Sequence, residues 1–124
     1  MIKKILIVDD SPVSRKIVRK CLPKEQTFEI FEAVDGKDGL EKFKEYNPDV
    51  TLLDLTMPVM DGLAALEEIR KIDGNAAVLV LTADIQQKTV GKVMELGALM
   101  VVPKPVSVEA IEKAFTIAMQ HLNE

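Results

Sequence analysis

The sequence predicts an α/β fold: a doubly wound parallel sheet of five strands with helices on both faces. Three observations predict it. Short runs such as Ile5-Leu6-Ile7-Val8 and Val78-Leu79-Val80-Leu81 are apolar at every position, as strands covered on both faces are. Longer segments between them carry apolar residues at helical spacing. The two kinds of segment alternate from one end of the chain to the other, which is the order that a parallel sheet with crossover helices requires.

The first strand is Ile5 to Val8, ending at Asp9-Asp10. Ser11 is a helix cap and Pro12 suits the first helical position. Val13, Ile17 and Cys21, with Val18 and Leu22 alongside, make the apolar stripe of helix one. Phe28 to Ala33 reads as the second strand and Asp35-Gly36 as a turn. Leu40, Phe43 and Tyr46 mark helix two, which Pro48 ends. Val50 to Leu53 is the third strand and ends in Asp54. Pro58 and Gly62 punctuate the loop that follows. Leu63, Leu66, Ile69 and Ile72 belong to helix three, which stops near Gly74. The fourth strand, Val78 to Leu81, ends in Thr82. Val90, Val93, Met94 and Leu96 are helical, with Gly97 as the stop. Leu99 to Val102 is the fifth strand. Ser107 caps a last helix with a stripe of Ile111, Ala114, Phe115, Ala118 and Leu122.

Size and composition agree with this layout. The chain has 124 residues, 48% hydrophobic and 29% charged, a profile of one ordinary globular domain. The expected organisation is a single domain over residues 1–124 with no output domain. Aromatics are only 4%, so the core must be aliphatic. A net charge of −4 leaves no basic footprint for nucleic acid. Cys21, the sole cysteine, allows neither an internal disulfide nor a thiolate metal site. The apolar run after Met1-Ile2-Lys3-Lys4 ends too soon for a signal peptide, and no run approaches the roughly 20 residues of a membrane span. The expectation is a soluble, cytoplasmic protein that binds no membrane.

In such sheets, ligands bind beyond the carboxyl ends of the strands. There the sequence delivers Asp9 and Asp10 from strand one, Asp54 from strand three, Thr82 from strand four and Lys104 just past strand five. Taken singly, each has a plainer use: an acid at a strand end caps helices, and a lysine or threonine is ordinary at the surface or in a strand. Their convergence on one edge is what points to chemistry. Clustered carboxylates are costly unless a cation sits among them, and hard oxygen ligands suit magnesium. Magnesium with an amine and a hydroxyl would cradle a transferring phosphoryl group, a reaction that needs positioning and charge neutralisation. An aspartate can itself be the nucleophile.

These residues resemble a known family, the receiver domains of two-component response regulators, and among them the stand-alone chemotaxis type. The likeness rests on Ile5-Leu6-Ile7-Val8-Asp9-Asp10-Ser11, Asp35-Gly36, Pro48-Asp49-Val50, Leu53-Asp54-Leu55-Thr56-Met57-Pro58-Val59-Met60-Asp61-Gly62, Leu81-Thr82-Ala83, Gly97-Ala98 and Lys104-Pro105. It covers nearly the whole chain. It implies a flavodoxin-like (βα)5 fold with strand order 2-1-3-4-5. It implies Asp54 as phosphoacceptor, and Asp10 and Asp54 as direct Mg2+ ligands with the backbone carbonyl of Thr56. Asp9 would help position the ion. Lys104 would pair with phosphoryl oxygens, and Thr82 would turn its hydroxyl onto the phosphoryl group. The Lys104-Pro105 bond would be cis. The donor would be a sensor histidine kinase or a phosphotransfer protein, and a downstream protein would read the face of helix 4, strand 5 and helix 5. The implied protein is a phosphorylation-dependent signalling switch. It would catalyse only its own phosphorylation and slow dephosphorylation.

Two positions depart from the family pattern. Val101 stands where most receivers carry a Tyr or Phe that changes rotamer with phosphorylation, so coupling from Thr82 must run through backbone or loop. Pro103 fits an edge strand, where a missing donor is tolerated. Gly91 falls inside helix four, which suggests a loosely held helix. Thr56 and Asp84 are expected to tune the phosphoryl lifetime. His121, near the chain end, reads as a last-turn helix residue and not as a phosphoryl carrier. The basic run from Arg15-Lys16 to Arg19-Lys20 is a solvated helix face that could dock a kinase. An aspartate-nucleophile phosphatase would need a second acid where Thr56 stands. A dinucleotide enzyme would need a G-x-G-x-x-G after strand one. A pseudo-receiver that kept the fold without the chemistry would not need the acids, Thr82 and Lys104.

Overall fold

The computed structural model describes residues 2–55 and 60–123. Along the chain run β1 (Lys4–Val8), α1 (Pro12–Cys21), β2 (Glu29–Ala33), α2 (Gly36–Tyr46), β3 (Val50–Asp54), α3 (Gly62–Ile72), β4 (Ala77–Thr82), α4 (Gln87–Glu95), β5 (Met100–Pro103) and α5 (Val108–Leu122). The strands form one parallel sheet in the order β2-β1-β3-β4-β5, as expected.

Strand alternation divides the aliphatic residues between two layers. Ile5, Ile7, Leu52, Leu79 and Leu81 face α1 and α5, where Val18, Cys21, Ile111, Ala114 and Phe115 complete one core. Leu6, Val8, Leu53, Val78 and Val80 face the other way, onto Phe43 of α2, Leu66 and Ile69 of α3, and Val93 of α4. Helices α1, α2, α3 and α5 start where the sequence supplies caps. Ser11, Asp35, Asp61 and Ser107 each accept an N–H from the residue three further on. Gly97 takes φ +104°, the left-handed turn that ends the α4 segment.

Several details differ from the sequence reading. The buried stripe of α1 is narrower than its apolar spacing predicts. Val18, Cys21 and Leu22 are buried, but Val13 is 68% and Ile17 42% exposed, because the burying face of this short helix is narrower than its apolar spacing. Ile72 and Met94, in the last turns of α3 and α4, are exposed as well. Asp35-Gly36 is not a free turn: Asp35 caps α2 and Gly36 is its first residue.

Pro103 does more than blunt an edge. Leu99 donates its N–H to the Val78 carbonyl at 2.9 Å. Counting by two along a parallel ladder, the donor opposite the Thr82 carbonyl should come from residue 103. Proline has none, and the Lys104 N–H, one residue on, meets Thr82 O at 2.9 Å instead. The Lys104-Pro105 bond that follows is cis.

Candidate functional site

The sheet reverses its order between β1 and β3, so the ends of these neighbouring strands flank the crevice where such folds bind ligands. Asp9 and Asp10 follow β1, and Asp54 closes β3. Gly62 makes the approach of α3 possible: a Cβ there would lie 2.4 Å from the Asp54 carbonyl oxygen.

Asp9, Asp54 and Thr82 are buried; Asp10 is exposed. Carboxylate oxygens of Asp9, Asp10 and Asp54 all lie within 4.8 Å of one another. Lys104 reaches into this group. Its ammonium pairs with Asp54 Oδ1 at 2.9 Å and Asp9 Oδ2 at 3.0 Å. The Thr82 hydroxyl accepts the N–H of Asp84 at 3.0 Å. The structure thus brings together Asp9, Asp10, Asp54 and Lys104, with Thr82 at the end of the adjoining strand. Thr56 lies outside the described residues, so its expected part in metal binding has no structural description.

The first turn of α1 contributes residues that the sequence reading did not assign to the site. Asp9 Oδ1 accepts the Ser11 N–H at 3.0 Å, and Oδ2 accepts the Ser14 hydroxyl at 2.5 Å. Arg15 donates to the Asp9 carbonyl at 2.7 Å and to Glu32 at 2.6 Å. Residues at the start of a helix after a strand-end acid were the available clue: a short turn folds them back over that acid.

Of the three clustered carboxylates, Asp9 and Asp54 pair with the Lys104 ammonium, and the electrostatics follow. Burial pushes Asp54 above the ordinary carboxylate range; Lys104 opposes this, and the charges of Asp9 and Asp10 add to it. Burial alone would lower Lys104, but its bonds to Asp54 and Asp9 outweigh that and hold the ammonium above its usual value. The surplus negative charge, on oxygen donors, fits a hard divalent cation. Asp9 already meets three donors, so Asp10 and Asp54 are the freer ligands.

Residues 5–116 match the response regulator receiver domain family. The chain belongs to this family. The receiver is 37% identical over 114 residues to the chemotaxis protein CheY of Bacillus subtilis, covering 92% of this chain and 95% of that protein. It is 38% identical to the CheY of Thermotoga maritima, covering 90% and 96%. Among solved structures, the CheX-CheY-BeF3-Mg+2 complex from Borrelia burgdorferi superposes with a TM-score of 0.89 at 30% identity, over 94% of this chain and 89% of that one. Vibrio cholerae CheY4 gives 0.84 at 28%, over 94% and 98%. Receivers are signalling proteins whose general role is a phosphorylation-dependent switch, and the family binds Mg2+ at an acidic pocket. Among the described residues of this receiver, no helix is long and apolar enough to cross a membrane.

Proposed function

We propose that this receiver accepts a phosphoryl group on Asp54 and changes its partner binding as a result. The observation that carries the reading is the Lys104 ammonium, held 2.9 Å from a buried Asp54 that two further acids flank. An Asp54 oxygen attacks the phosphorus of a phosphohistidine. The new O–P bond forms as the P–N bond breaks, and the imidazole, protonated on its other nitrogen, leaves as a neutral ring. Lys104 meets the negative charge of the phosphoryl oxygens. Asp10, Asp54 and the Thr56 carbonyl would hold Mg2+, with Asp9 positioning it; when bound, the ion neutralises charge on the acids and the phosphoryl group.

The donor is a sensor histidine kinase or phosphotransfer protein. A cleft of about 370 Å³, lined by Val13, Ile17, Ala83 and Pro105 beside Lys104, supports its approach from the α1 side. Thr82 turns its hydroxyl to the phosphoryl group, and a second protein reads the α4-β5-α5 face, where Met94 and Val108 are exposed. Likeness to proteins named chemotaxis protein CheY supports a chemotaxis-type role.

The test uses Mg2+ and acetyl phosphate. The expected result is a labile mass increment on the wild-type protein and none on Asp54→Asn. An increment that persists in the variant refutes Asp54 as acceptor.

A further inference from the structure

Asp9 is fully buried, so its carboxylate depends on the donors that reach it. Oδ1 has one, the Ser11 N–H. Oδ2 has two, the Lys104 ammonium at 3.0 Å and the Ser14 hydroxyl at 2.5 Å. Ser14 is not free to wander. Its own N–H is donated to Ser11 Oγ at 3.2 Å, and Arg15, the next residue, is fixed on the Asp9 carbonyl and on Glu32. The first turn of α1 therefore presents the hydroxyl to Asp9 from a set position.

The consequence concerns Lys104. An ammonium has three donors, and two are spent, one on Asp9 Oδ2 and one on Asp54 Oδ1. How it divides between them decides how much positive charge reaches the acceptor. Ser14 places a second proton on the very oxygen that holds Lys104 to Asp9. Donors that share an acceptor oxygen compete for it, so the hydroxyl satisfies part of what Asp9 would otherwise draw from the lysine.

We propose that Ser14 is a positioning residue for phosphoryl acceptance: its hydroxyl occupies Asp9 Oδ2 and so keeps the Lys104 ammonium available to Asp54 and to the incoming phosphoryl oxygens. The inference rests on the reading of Asp54 as acceptor and adds a residue that acts through Lys104. Ser14 also borders the cleft beside Lys104.

The experiment compares wild type, Ser14→Ala and Ser14→Thr. Phosphorylation by acetyl phosphate with Mg2+ is read by mass, and the binding of beryllofluoride by titration. The Lys104 ammonium is followed by nitrogen-resolved NMR in the unphosphorylated protein. A hydrogen bond to a charged group is worth enough that Ser14→Ala should slow phosphorylation and weaken beryllofluoride binding by about fivefold to twentyfold. The Lys104 resonance should shift, and thermal stability should change little. Ser14→Thr keeps the hydroxyl and should restore rate and resonance. A wild-type rate and an unmoved Lys104 resonance in Ser14→Ala overturn the proposal, as does an equal loss in Ser14→Thr. If wild-type protein takes no phosphoryl group, the reading of Asp54 fails, and Ser14's role in phosphoryl acceptance falls with it. If wild type is phosphorylated but Ser14→Ala matches it, or Ser14→Thr loses as much as Ser14→Ala, the inference about Ser14 alone falls.

Discussion

The two sides of the acidic crevice are built differently. On the α1 side, the groups around Asp9 and Glu32 are tied down by side-chain bonds. Ser11 caps the helix and holds Asp9, Ser14 adds a second bond, and Arg15 and Arg19 both close on Glu32 of β2. On the α4 side, Thr82 leads into a loop whose residues 83–86 are exposed. Gln86 gives α4 no side-chain cap. The start of the helix relies on exposed Asp84, whose carboxylate accepts the Gln86 N–H and the Thr89 hydroxyl. The other end of α4 is firmer: Arg70 of α3 donates to the carbonyls of Gly74, Ala76 and Gly97. The two sides thus differ in how firmly they are held: the α1 side fixes Asp9 by several side-chain bonds, and the α4 side leaves Thr82 beside an exposed, sparsely bonded loop.

Four experiments sharpen or break that contrast. The largest effect belongs to the group both sides share. Lys104→Ala should slow phosphorylation by acetyl phosphate at least about 100-fold, as loss of a preorganised charge stabiliser does; a rate within a few-fold of wild type would remove the lysine from the chemistry. Next, Glu32→Ala strips two arginines of their partner on the α1 side. It should cost about 1–2 kcal/mol in urea unfolding, with Arg15 left half-paired in a largely buried place. Amide exchange in α4 should stay as it was. A loss spread equally over α4 would show that the two sides are not independent.

The third experiment probes charge. Burial and neighbouring acids raise Asp54 above its ordinary value of 3.8. A carboxyl raised in the folded state favours folding most when protonated, and its contribution is lost as pH rises through that raised value. Asp54→Asn should therefore melt about 2–4 °C higher than wild type at pH 7 without Mg2+. The gain should shrink as the solution is made acid, and added Mg2+ should stabilise the wild type preferentially. An unchanged midpoint across pH would mean the acids are not in conflict. The smallest effect is at Gly91. A Cβ there meets no atom within 4 Å, so Gly91→Ala should gain about 0.5–1 kcal/mol from helix propensity alone. Hydrogen exchange should show α4 less protected than α3 in the wild type, with the gap narrowed in this variant. Equal protection in the two helices, with and without beryllofluoride, would refute the loose α4.

Much of this was legible in the sequence, for physical reasons that differ by residue. Runs such as Leu52-Leu53 and Val78 to Leu81 are apolar on both faces, so strand, burial and strand-end position follow together. Asp54, Thr82 and Lys104 could be placed at one edge because parallel strands all end there. The helix faces were harder. Val13 and Ile17 share a stripe with Val18 and Cys21, yet only the latter pair is buried, since spacing fixes a direction around the helix and not how wide the contact is. Ser14 and Arg15 were invisible as site residues because hydroxyls and guanidinium groups in a first helical turn look like solvated surface until the fold lays that turn against Asp9. Val101, the departure from the family pattern, packs half-buried against the α2–α4 core. The polar contact of the Thr82 hydroxyl is instead with the Asp84 loop, through the Asp84 N–H.

Pro103 has a consequence for alignment. Because the strand cannot offer a donor at that residue, the Thr82 carbonyl is met, among the described residues, by the Lys104 N–H. The hydroxyl-bearing residue of one strand and the ammonium-bearing residue of the next are thereby keyed together, like two gears with a tooth removed so that they mesh in a single phase. Thr82 and Lys104 therefore share one backbone bond at the crevice, so the position of one constrains the other.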